Sequence, residues 1–466
     1  MSSLFHRLRA FTGDRLLRRV VRNSSYLFAS NAISAVLSIV TANVLGVKSF
    51  GELEIITVFV SNVNRLLSFR MGDAAVRYMG EALERGANER AGAVVKAALL
   101  IEALTSLAAY GILALLAPLG AALIAKDTRL VPLFLVYGIS ILANLVTETS
   151  TGVLQVTNHF RSQALITLIQ SLAVAAMLAL AVVRGGNNEQ LIWAVMWAYL
   201  TGKLIAGLGP VLVAAYWLPK SVGRDWWRAS FALLPPWREL IRFGVSTNIS
   251  ATINVIARDS EGLWVGYFFN ATVTGYYKTA RAIINLIVMP INPFISTTYP
   301  EITRAFVSRQ WQRLRDLLGR VSLIAAVWTG GVALGLLLLG RQALFGPVNL
   351  FGRTFQLYKA EYLPAYPVLL VLLVGYGAAN ILFWNRPLLL AQGLADYALK
   401  VSFWAMLGKV ALSLIFLPAA GYLAEAGFLS LYFVVSVGLM VWRGVEGVRR
   451  AEAGLPPAPA GQGAAP

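Results

Sequence analysis

The sequence predicts an all-α polytopic membrane protein, with about twelve transmembrane helices in two parallel six-helix repeats. Three observations carry that prediction. Of 466 residues, 58% are hydrophobic and only 13% charged, with a mean hydropathy of +0.66. A water-soluble chain of this length has no interior large enough for so much apolar surface, whereas helices satisfy their own backbone groups in lipid. Apolar runs recur near 23–46, 53–72, 92–116, 130–154, 163–183, 190–217, 243–269, 275–297, 319–340, 365–391, 399–418 and 422–442, each close to the ~20 residues that cross a bilayer. Finally, a shift of 224 residues aligns the two halves without a gap over about a hundred positions.

Taken in order, residues 1–22 form a basic N-terminal segment carrying Arg7, Arg9, Arg15, Arg18, Arg19 and Arg22, without the apolar core of a cleavable leader. Residues 23–218 are the first six-helix lobe and 219–242 a cytoplasmic linker. The linker sets Trp226, Trp227 and Trp237 among arginines, with a break at Pro235-Pro236. That composition suits either an interfacial amphipathic helix or a loop with snorkelling anchors. Residues 243–442 are the second lobe; in it the outside loop from Arg341 to Ala365 is long enough to lie on the membrane surface. Residues 443–466 form a cytoplasmic tail that ends Pro/Ala/Gly-rich and is expected to be disordered.

Charge sets the orientation. The net charge is +18, but there is no basic stripe with interleaved aromatics, so no nucleic acid is expected. The cations fall in alternate loops: Arg77, Arg85 and Arg90, then Lys220 to Arg238, then Arg304 to Arg320, against a sparse set opposite such as Lys48, Lys126 and Arg129. The positive-inside rule then puts both termini in the cytoplasm. Cysteine is absent and the only histidines are His6 and His159, so no disulfide, no metal cage and no cofactor is expected.

In the repeat, Gly51 falls on Gly275, Arg18 on Arg242, Arg85 on Arg309 and Lys96 on Arg320. The shift spans six helices, an even number. Both halves therefore start on the same side, as parallel repeats about an axis along the membrane normal, and transporters bind substrate between such halves.

The stretch Arg242–Arg304 reads as two helices joined by a tight turn, with ionisable residues at membrane depth. Ser250, Asn254, Arg258 and Glu261 share one helical face; Lys278, Arg281, Asn285 and Asn292 share another. Arg258 lies ~22 Å into its helix and Arg281 ~9 Å into the returning one, which nearly coincide in a ~30 Å core. Intramembrane charge marks function or a structural pair. The alternative is that Asp259, Glu261 or Glu301 neutralises these arginines. Arg65, Lys203 and Lys409 are further cations at depth, and Asn64 adds a polar group. The substrate-binding candidates are Arg281, Arg258, Lys278, Arg65, Asn254, Asn285 and Asn292. Asp259, Glu261, Glu102 and Glu148 are candidates for coupling to H⁺ or Na⁺, or else charge partners of those cations.

Asn43-Val-Leu-Gly-Val-Lys-Ser-Phe-Gly51 resembles the R-x-L-G-x-x-x-F-G turn after the first helix of the polysaccharide (O-antigen type) flippases of the multidrug/oligosaccharidyl-lipid/polysaccharide exporter superfamily, departing from it at Asn43. Met71-Gly-Asp-Ala-Ala-Val-Arg77 resembles their L-G-x-x-x-x-R segment. Val273-Thr-Gly-Tyr-Tyr-Lys-Thr-Ala-Arg281 resembles their V-G-x-Y-x-x-A-x-R turn, and Tyr299-Pro-Glu301 their P-E helix end. The resemblance implies a central cationic cavity that moves an undecaprenyl-diphosphate-linked glycan across the inner membrane. Implied partners are the lipid-linked oligosaccharide, membrane lipids and polysaccharide polymerase machinery, for a monomer that is not an enzyme. Arginine forks suit a diphosphate. Two other functions compete. A multidrug exporter of the same superfamily would call for an acidic cavity. A membrane enzyme of the polysaccharide pathway would need a nucleophile motif or P-loop, and the chain shows neither.

Overall fold

The structure is a computed structural model and describes residues 15–234, 236, 238, 248–249, 251–350 and 353–455. Most of the basic segment, Ser250, the second half of the linker and the end of the tail lie outside these residues. In chain order the helices are α1 (Arg15–Leu67), α2 (Gly72–Glu84), α3 (Asn88–Leu119), α4 (Val131–Ala143), α5 (Thr147–Val156), α6 (Phe160–Arg184), α7 (Asn188–Val222), α8 (Glu261–Phe268), α9 (Ala271–Val288), α10 (Asn292–Val307), α11 (Trp311–Gly335), α12 (Arg341–Phe345), α13 (Ala365–Ile381), α14 (Asn385–Ala391), α15 (Ala395–Ala420) and α16 (Tyr422–Glu452). Nine helical segments among the described residues are long and apolar enough to cross a membrane. The first of them, Ala32–Leu67, has 36 residues, about 54 Å of helix, too long for one crossing. Its backbone leaves the helix at Gly46 (φ 73°, ψ 165°), a conformation that glycine adopts without a Cβ penalty. The predicted runs 23–46 and 53–72 are therefore two spans joined at a kink rather than by a loop.

The order of elements repeats. In each half a third span ends in a π-helical turn, Gly120–Ala125 after α3 and Leu336–Gly340 after α11. In each half the fourth span is broken, between α4 and α5 and again between α13 and α14. The chain also breaks at Gly46 and at Phe269–Asn270 (φ −117°, ψ −102° at Phe269), positions related by the 224-residue shift. The Asn270 side chain caps the second break by accepting from Val273 N at 3.0 Å.

Contacts gather the chain into two compact units, Ile33–Lys278 and the residues from Thr279 onward together with the helical residues before Ile33. In the first, α2 packs on α3 and α5, and α7 on α5 and α6. α2 occupies what the charge pattern marks as a loop: it buries Ala74, Ala75, Tyr78, Met79 and Ala82 on one face, against Val94, Val95, Leu154 and Leu218, and leaves its charged residues outside. In the second unit α16 packs on α13 and α15, and α10 on α14. Its core holds Phe294, Ile302, Leu314, Leu318, Trp384 and Leu388. Leucines such as Leu104, Leu115, Leu337 and Leu338 point outward instead, as lipid-facing surfaces require.

Over its described part the linker is no amphipathic helix. After α7 it makes 3-10 turns at Trp226–Arg228 and Phe231–Leu233. It is tied to α3 by Lys96, whose Nζ donates to Ala229 O at 3.2 Å and lies over the Phe231 ring at 4.4 Å. The long loop 341–365 holds structure of its own: α12 is followed by an antiparallel hairpin, Val348–Leu350 with Arg353–Phe355, registering Val348 opposite Phe355. Tyr358 and Tyr362 then turn inward and are buried.

Candidate substrate-binding site

Within the unit Ile33–Lys278, the second span of α1 runs beside the two helices that the sequence singled out. Three layers of contact hold them, and the layer nearest the kink is made of glycine. A Cβ built on Gly51 falls 1.7 Å from Ala271 O, and one on Gly275 falls 2.2 Å from Val47 O. Only glycine permits backbones this close. Gly51 and Gly275 are 224 residues apart, and so are Val47 and Ala271. The Gly51–Ala271 and Gly275–Val47 contacts are thus equivalents of each other under the repeat, the reciprocity of a self-complementary contact.

The second layer is ionic. Lys278 Nζ lies 3.5 Å from Glu54 Oε2, with the two side chains only 11% and 13% exposed, and 4.2 Å from the Phe50 ring centroid. It also donates to Phe50 O at 3.4 Å. Glu54 and Lys278 are again equivalents 224 residues apart. Lys278, read from sequence as a substrate ligand, is therefore built into the packing of α1 on α9. Sequence reasoning missed Glu54, although the repeat itself carried the signal: an acid aligned on a base at an apolar depth.

The third layer lies eleven residues further along α1 than Glu54, ~16 Å in helical rise. Here Val255–Asp259 is a π-helical turn that ends at Ser260. Such turns are frequent at functional sites. The wide turn is closed by the Ser260 hydroxyl, which donates to Val255 O at 2.8 Å and accepts from Asn62 Nδ2 at 2.9 Å. Asp259 accepts from Arg65 Nη1 at 2.5 Å, and both side chains keep solvent access, 46% for Arg65 and 33% for Asp259. Lys203 on α7 lies within electrostatic reach of Arg65. Arg258 and Asn254 are partly buried beside this turn, and Glu261 is fully buried. The sequence offered Asp259 as a partner for Arg258; the structure pairs it with Arg65. The patch of Arg65, Lys203, Arg258, Asp259 and the buried Glu261 carries three basic and two acidic side chains at membrane depth, an excess of basic groups suited to an anion.

The remaining candidates are placed as follows. Arg281, Asn285 and Asn292 belong to the second compact unit. Arg281 is partly buried on α9, and Asn285 and Asn292 are exposed. Glu301 pairs with Arg304 at 3.4 Å and Arg313 at 3.3 Å, at the end of α10. Glu148 is bound by Arg70, with Nε at 3.0 Å. Glu102, 1% exposed, accepts from Glu148 N at 2.8 Å, Thr149 N at 2.9 Å and Thr149 Oγ1 at 2.6 Å. Its carboxylate caps α5 where the fourth span breaks, satisfying backbone donors that lipid would leave orphaned. Lys409 is buried with Glu425, whose second oxygen accepts from Ser413 Oγ at 2.7 Å.

At the outer end of this unit Asp127 caps a short turn by accepting from Arg129 N at 3.0 Å. The hydrogen bonds from the Arg129 side chain hold its carboxyl below the usual carboxylate range, against a smaller opposing effect of burial.

Comparison with known proteins now bears on this geometry. The fold is similar to that of an inward-facing multidrug resistance MATE family transporter of the MOP superfamily, at 14% identity and TM-score 0.68 over 91% of this chain and 96% of that one. It is similar too to that of the lipid II flippase MurJ in an inward closed conformation, at 15% identity and TM-score 0.66 over 92% and 89%. A further MATE structure, in complex with MaD5, matches at 15% identity and TM-score 0.60 over 94% and 98%. No curated protein matches the chain in sequence. A family model described as polysaccharide biosynthesis protein matches residues 20–306, well over half of the chain, and the chain therefore belongs to the polysaccharide biosynthesis protein family.

Proposed function

We propose that this protein is a flippase that moves a lipid-diphosphate-linked oligosaccharide across the inner membrane by alternating access during cell-surface polysaccharide biosynthesis. The observation that supports the reading is the excess of basic groups at membrane depth, Arg65, Lys203 and Arg258 against Asp259 and Glu261, in a chain of this family. A diphosphate is a polyanion on a lipid anchor, and guanidinium groups hold it through paired hydrogen bonds. Arg281 is the principal ligand of the diphosphate, supported by Arg258, with Asn254, Asn285 and Asn292 hydrating sugars. Both termini and the linker face the cytoplasm, and the N-terminal lobe 23–218 and C-terminal lobe 243–442 rock about the twofold axis. The chain acts without catalysis, as a monomer, and passes its glycan to polymerase machinery.

The glycine crossing and the Glu54–Lys278 pair support a part for α1 and α9 as a closure between repeats. Because Glu54 and Lys278 form a nearly buried pair, opening this interface requires that water reach both charges as the helices part. The fold's likeness to multidrug resistance transporters favours a second reading, export of small organic cations, which an excess of cations at the site opposes. The test is reconstitution into liposomes with a fluorescent lipid-diphosphate-oligosaccharide in the inner leaflet. Translocation of the glycan supports the flippase, whereas efflux of an organic cation with no glycan movement supports the exporter.

A further inference from the structure

A groove of about 720 Å³ runs between α15 and α16 of the second unit, apart from every residue assigned above to substrate. Its volume falls in the range of small-molecule sites. One end is cationic and amphipathic. Lys400 is exposed there, the Arg443 guanidinium lies 5.7 Å from the Tyr397 ring centroid, and Asp396 is the one acid at that end. Trp404 and Trp442 flank it at 66% and 63% exposure, the arrangement of indoles at a membrane–water interface. The other end is apolar, walled by Leu412, Phe428 and Leu431. Lys409 reaches that wall with its charge matched by Glu425. From Asp396 to Leu412 the groove follows sixteen residues of α15, ~24 Å of helix. That is longer than the ~15 Å of hydrocarbon in one leaflet and shorter than the ~30 Å of both. Toward its apolar end Gly408 leaves space, since a Cβ there meets nothing within 4 Å.

We infer that this groove is a binding site for one anionic phospholipid of the leaflet next to Lys400 and Arg443, with its headgroup phosphate on those two side chains and an acyl chain lying past Gly408 toward Leu412. Two cations against one acid select an anionic headgroup over a zwitterionic one, since each basic side chain near a headgroup adds about 1 kcal/mol, or roughly fivefold. The indoles fix the headgroup depth, and the neutralised Lys409–Glu425 pair leaves no free charge to repel the chain. The site depends on no part of the transport reading.

Native mass spectrometry of the full-length protein in nanodiscs of equal phosphatidylglycerol and phosphatidylcholine, released into detergent, tests the site. The expected result is one retained phosphatidylglycerol per chain. Lys400→Gln with Arg443→Gln should weaken that retention about twenty-five-fold, two fivefold losses combined, while Lys400→Arg preserves it. Gly408→Leu, whose Cβ would meet no atom within 4 Å and which changes no charge, should also expel the lipid from a protein of unchanged melting temperature. Equal retention of both lipids by the wild type would overturn the site. So would undiminished phosphatidylglycerol in Gly408→Leu, or displacement of the lipid by a polyprenyl phosphate at equal concentration, which would assign the groove to the carrier instead.

Discussion

Single side chains here hold buried backbone together as much as they meet a ligand, and Glu102 shows it best. Its carboxylate accepts from three donors at the start of α5. Glu102→Ala should cost on the order of 3 kcal/mol, because two backbone N–H groups and a hydroxyl lose a charged acceptor. Glu102→Gln should keep much of the fold, since its amide oxygen still accepts. Detergent melting curves check this, and a Gln variant that folds yet loses ion-driven transport would assign Glu102 as the coupling acid. Asp127 gives a pH dependence. Its carboxyl is depressed in the folded state, chiefly by the hydrogen bonds of Arg129. Its contribution is therefore complete above the unfolded carboxylate value and is lost as pH falls through the lower folded one. Amide exchange of the Thr128–Leu130 turn should accelerate on such acidification, and Asp127→Asn should flatten the response. The sequence showed that Arg258, Asp259 and Lys278 sit at membrane depth, because depth follows from residue count. It did not show their partners. Asp259 meets Arg65 and Lys278 meets Glu54 through contacts across roughly two hundred residues of chain, which no helical periodicity encodes.

At the scale of elements, the repeat was the most legible feature, and it predicted more than it seemed to. Gly51 aligned on Gly275 as a matter of pattern; in the structure each glycine makes room for the other's helix. Two elements were illegible for identifiable reasons. α2 is amphipathic with charges on its outer face, so its charges read as a loop. The linker's tryptophans mark an interface equally well in a helix or in the 3-10 turns that form. The crossing of α1 and α9 leads to a prediction. Because the chain has no cysteine, Glu54→Cys with Lys278→Cys can be joined by a thiol crosslinker long enough to replace the two longer side chains whose tips meet in the native pair. If these helices separate during transport, the joined protein should lose nearly all translocation and recover it on cleavage of the linker. Unchanged translocation in the crosslinked protein would show that the crossing stays closed throughout. Gly275→Leu should be more severe, since its side chain would overlap Val47 backbone, and should lower the amount of protein in the membrane.

At the scale of the whole molecule, hydropathy and the alternation of charged loops were sufficient to read the fold class, because a bilayer leaves few other ways to hide this composition. The same alternation predicts that Ser221→Cys is labelled by an impermeant thiol reagent only after the membrane is opened; labelling on intact cells would reverse the topology. What composition does not encode is the cargo, whose diphosphate the proposed function assigns to Arg281. The decisive measurement is translocation of a fluorescent lipid-diphosphate-oligosaccharide by purified protein in liposomes, comparing wild type with Arg281→Ala and Arg281→Lys at equal membrane abundance. A lost phosphate contact worth ~1.5–3 kcal/mol predicts that Arg281→Ala is slower by roughly ten- to a hundredfold, with Arg281→Lys in between because lysine keeps the charge but not the planar fork. Translocation by Arg281→Ala at the wild-type rate would contradict the cationic-cavity mechanism.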